Sequence, residues 1–192
     1  MTTSRLEAFT DGVIAILITI MVLELKVPHG SDLAALKPLA PVFLAYVLSF
    51  VYIGIYWNNH HHMLQVTERV NGGILWANLN LLFWLSLIPF VTGWMGENGF
   101  AALPTAIYGI VLFLSGISFT LLARLIVKDQ GDESKLRVAI GRDRKGKISA
   151  VLYACAVLLA FVHQWISDLI YVAVAMMWLI PDRRIEKIVA ER

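Results

Sequence analysis

The chain has 192 residues, 58% of them hydrophobic and 16% charged, with a formal net charge of +2 and a mean hydropathy of +0.71. That balance lies outside the range of ordinary soluble domains, so lipid is read as the solvent. A span needs roughly 20 residues, which leaves no room for a sizeable soluble domain, and so small a charge makes no case for nucleic acid as a partner.

Six apolar segments follow in chain order, near 9–27, 39–62, 71–95, 101–126, 147–165 and 167–181. Turn-forming residues separate them: Pro28, His29 and Gly30 after the first, Gly96 to Gly99 between the third and fourth, and a tight last link through Gln164 and Asp168. Pro41, Pro89 and Pro104 lie in or at the edges of spans, where a bundle tolerates them. The first segment carries Asp11 near its start and has no basic leader, so it reads as a retained helix and not as a signal peptide. Of the 16 Lys and Arg, all but Lys26 and Lys37 fall on one side of these segments. Basic loops stay cytoplasmic, so both termini are expected inside, as an even number of spans requires. The expected fold is therefore an all-α integral membrane protein with six transmembrane helices, 1–192 forming a single domain with a cytoplasmic loop about 128–146. That loop reads as a solvated connection, with lipid headgroup contact as the sharper alternative. Ile185, Ile188 and Val189 give the C-terminal tail a helical spacing suited to the inner interface. The single Cys155 excludes an internal disulfide and reads as a packing residue.

The first helix holds most of the chemistry. It opens Arg5-Leu-Glu-Ala-Phe9-Thr10-Asp11 and closes Leu23-Glu24-Leu25-Lys26. Ionisable groups this close to a span are costly and are held by partners. Arg5 and Asp11 are six positions, about 600° of helix, apart, so each must look to a neighbouring helix. The second helix arrives at the same level with Trp57, Asn58, Asn59, His60, His61 and His62, and one His is expected to bond Asp11. Successive His diverge by about 100° and cannot all face one ion, so no metal is expected. Beyond Asp11, Gly12, Ile16, Thr19, Ile20 and Leu23 recur at spacings of three and four. This stripe has two meanings. It is either a packing face with Thr19 bonded back to the carbonyl four residues earlier, or a pore wall in which Ile16 and Leu23 form apolar constrictions and Thr19 supplies a polar step. In the third helix Asn78 and Asn80 diverge by about 200° and are expected to serve different neighbours. Glu24, Lys26 and Glu97 belong either to an outer mouth or to solvated loops. A Gly-rich phosphate cradle, a nucleophile elbow and a zincin pattern are all missing, so the chain reads as no enzyme and needs no cofactor. The filter sequence Thr-Val-Gly-Tyr-Gly is missing too; no re-entrant selectivity-filter loop is expected.

The run Arg5-x-x-x-Phe9-Thr10-Asp11 resembles the Arg-x-x-x-Phe-Ser-Asp signature of the transmembrane protein 175 family of potassium channels, in its bacterial single-repeat type. The likeness continues through Trp57-x-Asn59-His60-His61, Asn80 and Pro89-Phe90. It implies a potassium-preferring cation channel whose central pore is lined by the first helix of each subunit, with Ile16, Thr19 and Leu23 as constriction and selectivity positions. Permeating potassium would pass near Thr19. It also implies that Arg5, Phe9, Thr10, Asp11, Asn59 and His60 form a polar network holding that helix. The family further implies a homotetramer among membrane lipids, in a bacterial plasma membrane. Thr10 keeps the hydroxyl of the signature Ser, and His62 stands where relatives often have a basic residue. The alternative is a proton- or ion-coupled secondary transporter in which Asp11 and His60 exchange protons, but the paired broken helices of such a carrier are not evident.

Overall fold

The computed structural model describes residues 2–131, 134, 136–137 and 143–179. Every regular element among them is helical. The C-terminal tail and much of the 128–146 loop lie outside the described residues.

Helix α1 (Thr3–Ile20) continues into a 3-10 turn, Met21–Glu24. A second 3-10 turn, Leu33–Leu39, is capped by Asp32, whose carboxylate accepts from the Ala35 amide at 3.1 Å, and leads into α2 (Ala40–Gln65) with Pro41 in its first turn. Proline suits that position because the first turn's amides have no helical partner. The third span is two helices: α3 (Gly72–Ser86) and α4 (Ile88–Glu97) meet at Leu87. Pro89 supplies no amide for the carbonyl four residues back, and Leu87 instead closes a tight turn onto Trp84 O at 3.2 Å. The single unbroken helix expected over 71–95 is therefore jointed. Then come α5 (Ala102–Gln130), α6 (Arg144–Leu159) and α7 (Gln164–Leu179).

Among the described residues, four helical runs are long and apolar enough to cross a bilayer: Thr3–Glu24, Leu33–Gln65, Gly72–Glu97 and Ala102–Gln130. Helix α6 has 16 residues, about 24 Å at 1.5 Å per residue, and the described part of α7 has 16 as well. The described ends differ most from the sequence expectation at α1, which starts six positions before residue 9 and so brings Arg5 and Glu7 into the helix, and at α6, which ends six positions before residue 165.

In lipid both sides of a helix can be apolar, so packing and buried hydrogen bonds choose the contact face. Ser49 of α2, Thr92 of α4 and Tyr108 of α5 meet in the core, with Ser49 Oγ 2.6 Å from Thr92 Oγ1 and 3.0 Å from Tyr108 Oη. Tyr52 donates to the Tyr171 carbonyl of α7 at 2.6 Å. Asn80 donates to Ser118 Oγ of α5 at 2.7 Å. At the inner end Arg69 donates to the Asp129 carboxylate and carbonyl at 3.0 and 2.7 Å, and Asn71, which caps α3, donates to the same carboxylate. A cation at the end of α5 also complements its helix dipole. Cys155 is exposed on α6 and is not the packing residue expected.

Gly96 marks the closest approach of α4 to α2: a Cβ there would lie 2.7 Å from Val42 Cα. Backbone cannot swing aside as a side-chain end can, so Gly96→Ala is expected to destabilise by about 1–3 kcal/mol, the usual cost of overpacking. A lowered midpoint of thermal unfolding in detergent would read this out, and an unchanged midpoint would contradict the close approach.

Candidate functional site

The burial pattern divides α1 into two faces. Leu6, Thr10, Ile14, Leu17 and Met21, spaced by four and three, are buried within the chain. The opposite face, Phe9, Gly12, Ile16, Thr19, Ile20 and Leu23, is exposed; Ile16 is 61% and Leu23 74% accessible. The protein's own bundle thus leaves uncovered the stripe that periodicity picked out. Thr19 Oγ1 stands 3.0 Å from both the Ala15 and Ile16 carbonyls, so its proton is held by its own helix while its lone pairs face outward.

Besides the Thr3 hydroxyl, which donates to the Thr67 carbonyl at 3.4 Å, three polar links fasten the N-terminal end of α1. Glu7 and Asp11 are one turn apart and share a face, as Trp57 and His61 do on α2. The pairs meet as two rungs: Trp57 Nε1 donates to Asp11 Oδ1 at 3.0 Å, and His61 Nδ1 lies 2.8 Å from Glu7 Oε1. The Trp57 and His61 rings stack with centroids 6.0 Å apart, and Gln65 Nε2 is 2.8 Å from His61 Nε2. A proton on His61 Nδ1 satisfies both contacts at once. The third link runs through α3: His60 Nε2 is 2.7 Å from Asn78 Oδ1, and Asn78 Nδ2 donates to Thr10 Oγ1 at 2.9 Å. All three residues of this relay are buried.

The His expected to bond Asp11 does not. His60 serves Asn78, and Trp57 takes Asp11, because the antiparallel rungs set Trp57 at the depth of Asp11 while His60 points across to α3. Asn59 turns back to the Ile55 carbonyl at 2.8 Å and joins no other helix. Arg5 is exposed, and its guanidinium makes no hydrogen bond or ion pair among the described residues; it continues the uncovered stripe toward the N-terminus, at a spacing of four from Phe9. No group of three or more potential metal ligands occurs among the described residues. Glu7, Trp57, His61 and Asn78 lie outside the expected network. The shared spacing of four in Glu7/Asp11 and Trp57/His61 was the signal that could have found the rungs.

At the other end of α1, Lys26 pairs with Glu97, and Glu24 lies over Gly93, where a Cβ would come within 2.9 Å of its Oε2. Glu24, Lys26 and Glu97 line a cleft of about 340 Å³ with Pro38, Leu39 and Val42. The hydrogen bond to Glu97, reinforced by that carboxylate's charge, holds the Lys26 ammonium above the ordinary lysine pKa, so Lys26 stays protonated at neutral pH.

Apolar helices long enough to cross a bilayer, packed through buried polar contacts, define a multi-pass membrane protein. Known proteins share both the sequence and the fold. Residues 5–89 match the family model described as "Endosomal/lysosomal potassium channel TMEM175". A protein of a Chryseobacterium species described as a potassium channel is 54% identical over 191 residues, the whole of both chains. The chicken protein described as the endosomal/lysosomal proton channel TMEM175 is 42% identical over 91 residues, 41% of this chain and 18% of that one. The crystal structure of a lysosomal potassium-selective channel TMEM175 homolog from Chamaesiphon minutus superimposes with a TM-score of 0.81 at 28% identity, covering 94% of this chain and 97% of that one. This chain belongs to the TMEM175 family.

Proposed function

We propose that this protein is a potassium-selective cation channel in which the uncovered face of α1 lines a central pore. The observation that carries the pore assignment is the division of α1: one face is buried, the inner end is held by three polar links, and Ile16, Thr19 and Leu23 are left open to whatever packs outside the chain. One helix cannot enclose a conduit, so several copies must meet around an axis, and closed cyclic symmetry is the ordinary solution; four copies make the homotetramer. Ile16 and Leu23 then act as apolar constrictions and Thr19 offers oxygen lone pairs to a passing potassium ion. Arg5, at the inner end of the same stripe and with no side-chain partner among the described residues, is placed to contact a neighbouring subunit.

In this assembly all of 1–192 acts as one unit with six spans, the 16-residue helices α6 and α7 completing the bundle. The one-sided Lys and Arg distribution puts both termini in the cytoplasm. Selectivity resides in side chains without a re-entrant filter loop, in a bacterial plasma membrane and among its lipids. Conduction needs neither cofactor nor catalysis.

The test is a bi-ionic reversal potential across a bilayer holding the purified protein, potassium on one side and sodium on the other. An ohmic current reversing toward the potassium equilibrium potential is expected. Saturable uptake tied to a proton gradient, with no such current, would replace the channel by the coupled transporter in which Asp11 and His60 exchange protons.

A further inference from the structure

Asp168 stands apart from the α1 face. The last link between helices was expected to run through it; instead it lies in the first turns of α7, on the face formed by Ser167, Tyr171, Val174 and Ala175, and is 8% accessible. Neither carboxyl oxygen has a hydrogen-bond partner among the described residues. Thr105 occupies the corresponding depth in α5: both helices start at the same end of the bundle, where Phe100 and Trp165 rings meet at 5.6 Å, and Tyr171 donates to the Thr105 carbonyl at 3.1 Å. Thr105 Oγ1 is likewise buried and unpartnered. Gly109 makes this approach possible, since a Cβ there would collide with the Tyr171 hydroxyl.

An ionised carboxylate removed from water needs a counter-charge or several donors. None faces Asp168. The titratable groups that feel its charge are Tyr108 of α5 and Tyr171 of its own helix; Tyr153 of α6 packs against Tyr171 with ring centroids 6.4 Å apart, and Tyr52 of α2 reaches the Tyr171 carbonyl. All are phenols, and no Lys, Arg or His reaches it among the described residues. One carboxyl and one hydroxyl are also too few oxygens for an alkali cation. We propose that Asp168, buried without a partner in the first turns of α7, is a proton-binding site in the outer half of each subunit, off the conduction axis, loaded at about pH 6 and emptied by about pH 9.

The site can be tested without measuring any ion current, so its failure is separate from that of the pore assignment. A lipid-soluble carbodiimide reacts with carboxylic acids in apolar surroundings. In the full-length protein in liposomes, mass spectrometry should find Asp168 modified at about pH 6, with a yield falling at least about tenfold by about pH 9, since occupancy of one site drops tenfold per pH unit above its midpoint. Asp168→Asn imitates the proton-loaded form. Stability contributed by a proton held in the folded state is lost as pH rises, so the wild-type unfolding midpoint should fall by more than about 3 °C relative to Asp168→Asn between those two pH values. Absence of the adduct at about pH 6, or a constant gap between wild type and Asp168→Asn, overturns the proposal. Should Asp168→Asn not fold, labelling of the wild-type protein decides alone.

Discussion

Ile16→Asn is expected to raise potassium flux into liposomes and to loosen discrimination against sodium. An apolar constriction blocks by excluding water; an amide at the same place on α1 holds water and shortens the dry segment. Lowering the barrier by about 1 kcal/mol raises flux about fivefold. Because Ile16 is 61% exposed within its own chain, the substitution removes little intramolecular packing, so a changed flux reports on the conduit and not on folding. Leu23→Asn, one helical stretch further out, should act in the same direction. Flux and reversal potential unaltered by either variant would remove α1 from the conduction route.

Asn78→Leu is expected to cost far more stability than Asn80→Leu, though the two differ by only two positions on α3. Asn78 is buried and bridges His60 to Thr10, so its loss leaves two groups without partners. Each orphaned group costs about 1–3 kcal/mol, and bonds between membrane helices run toward the lower end of such ranges, giving about 2–4 kcal/mol together. Asn80 is exposed and bonds only Ser118, which α5 can re-satisfy on its own carbonyls, so less than about 1 kcal/mol is expected. Denaturation in mixed micelles would rank them. Equal losses for both would show that the Thr10–Asn78–His60 relay does not hold α1.

Much of this fold is legible in the chain because lipid forbids unpaired backbone: apolar length and the breakers after Lys26, around Gly99 and around His163 locate the helices. The uncovered stripe on α1 is legible as a period, and so is the divergence of Asn78 and Asn80. Which side of an apolar helix faces its own bundle is not, since Ile14 and Ile16 have the same chemistry and only the structure buries one and exposes the other. Partner choice in the inner network failed for a related reason. Asp11 has Trp57, Asn59 and His60 within one turn of each other, and a small difference in depth between α1 and α2 gives it to Trp57. Asp168 looked like a loop residue by its polarity, while α7 actually begins at Gln164. The joint at Leu87 could have been anticipated from Pro89, but not that each half would find a different neighbour.

That joint divides the molecule mechanically. Inward of Leu87, α3 is tied to α5 by Asn80 and to α1 by Asn78; outward of it, α4 is wedged onto α2 by Gly96 and bonded there through Thr92, and it supports Glu24 at the outer end of α1. The first helix is thus gripped near Thr10 by one half of the third span and near Glu24 by the other. Flexing at Leu87 would tilt α1 like a lever pinned at its base, moving Leu23 through a wider arc than Ile16.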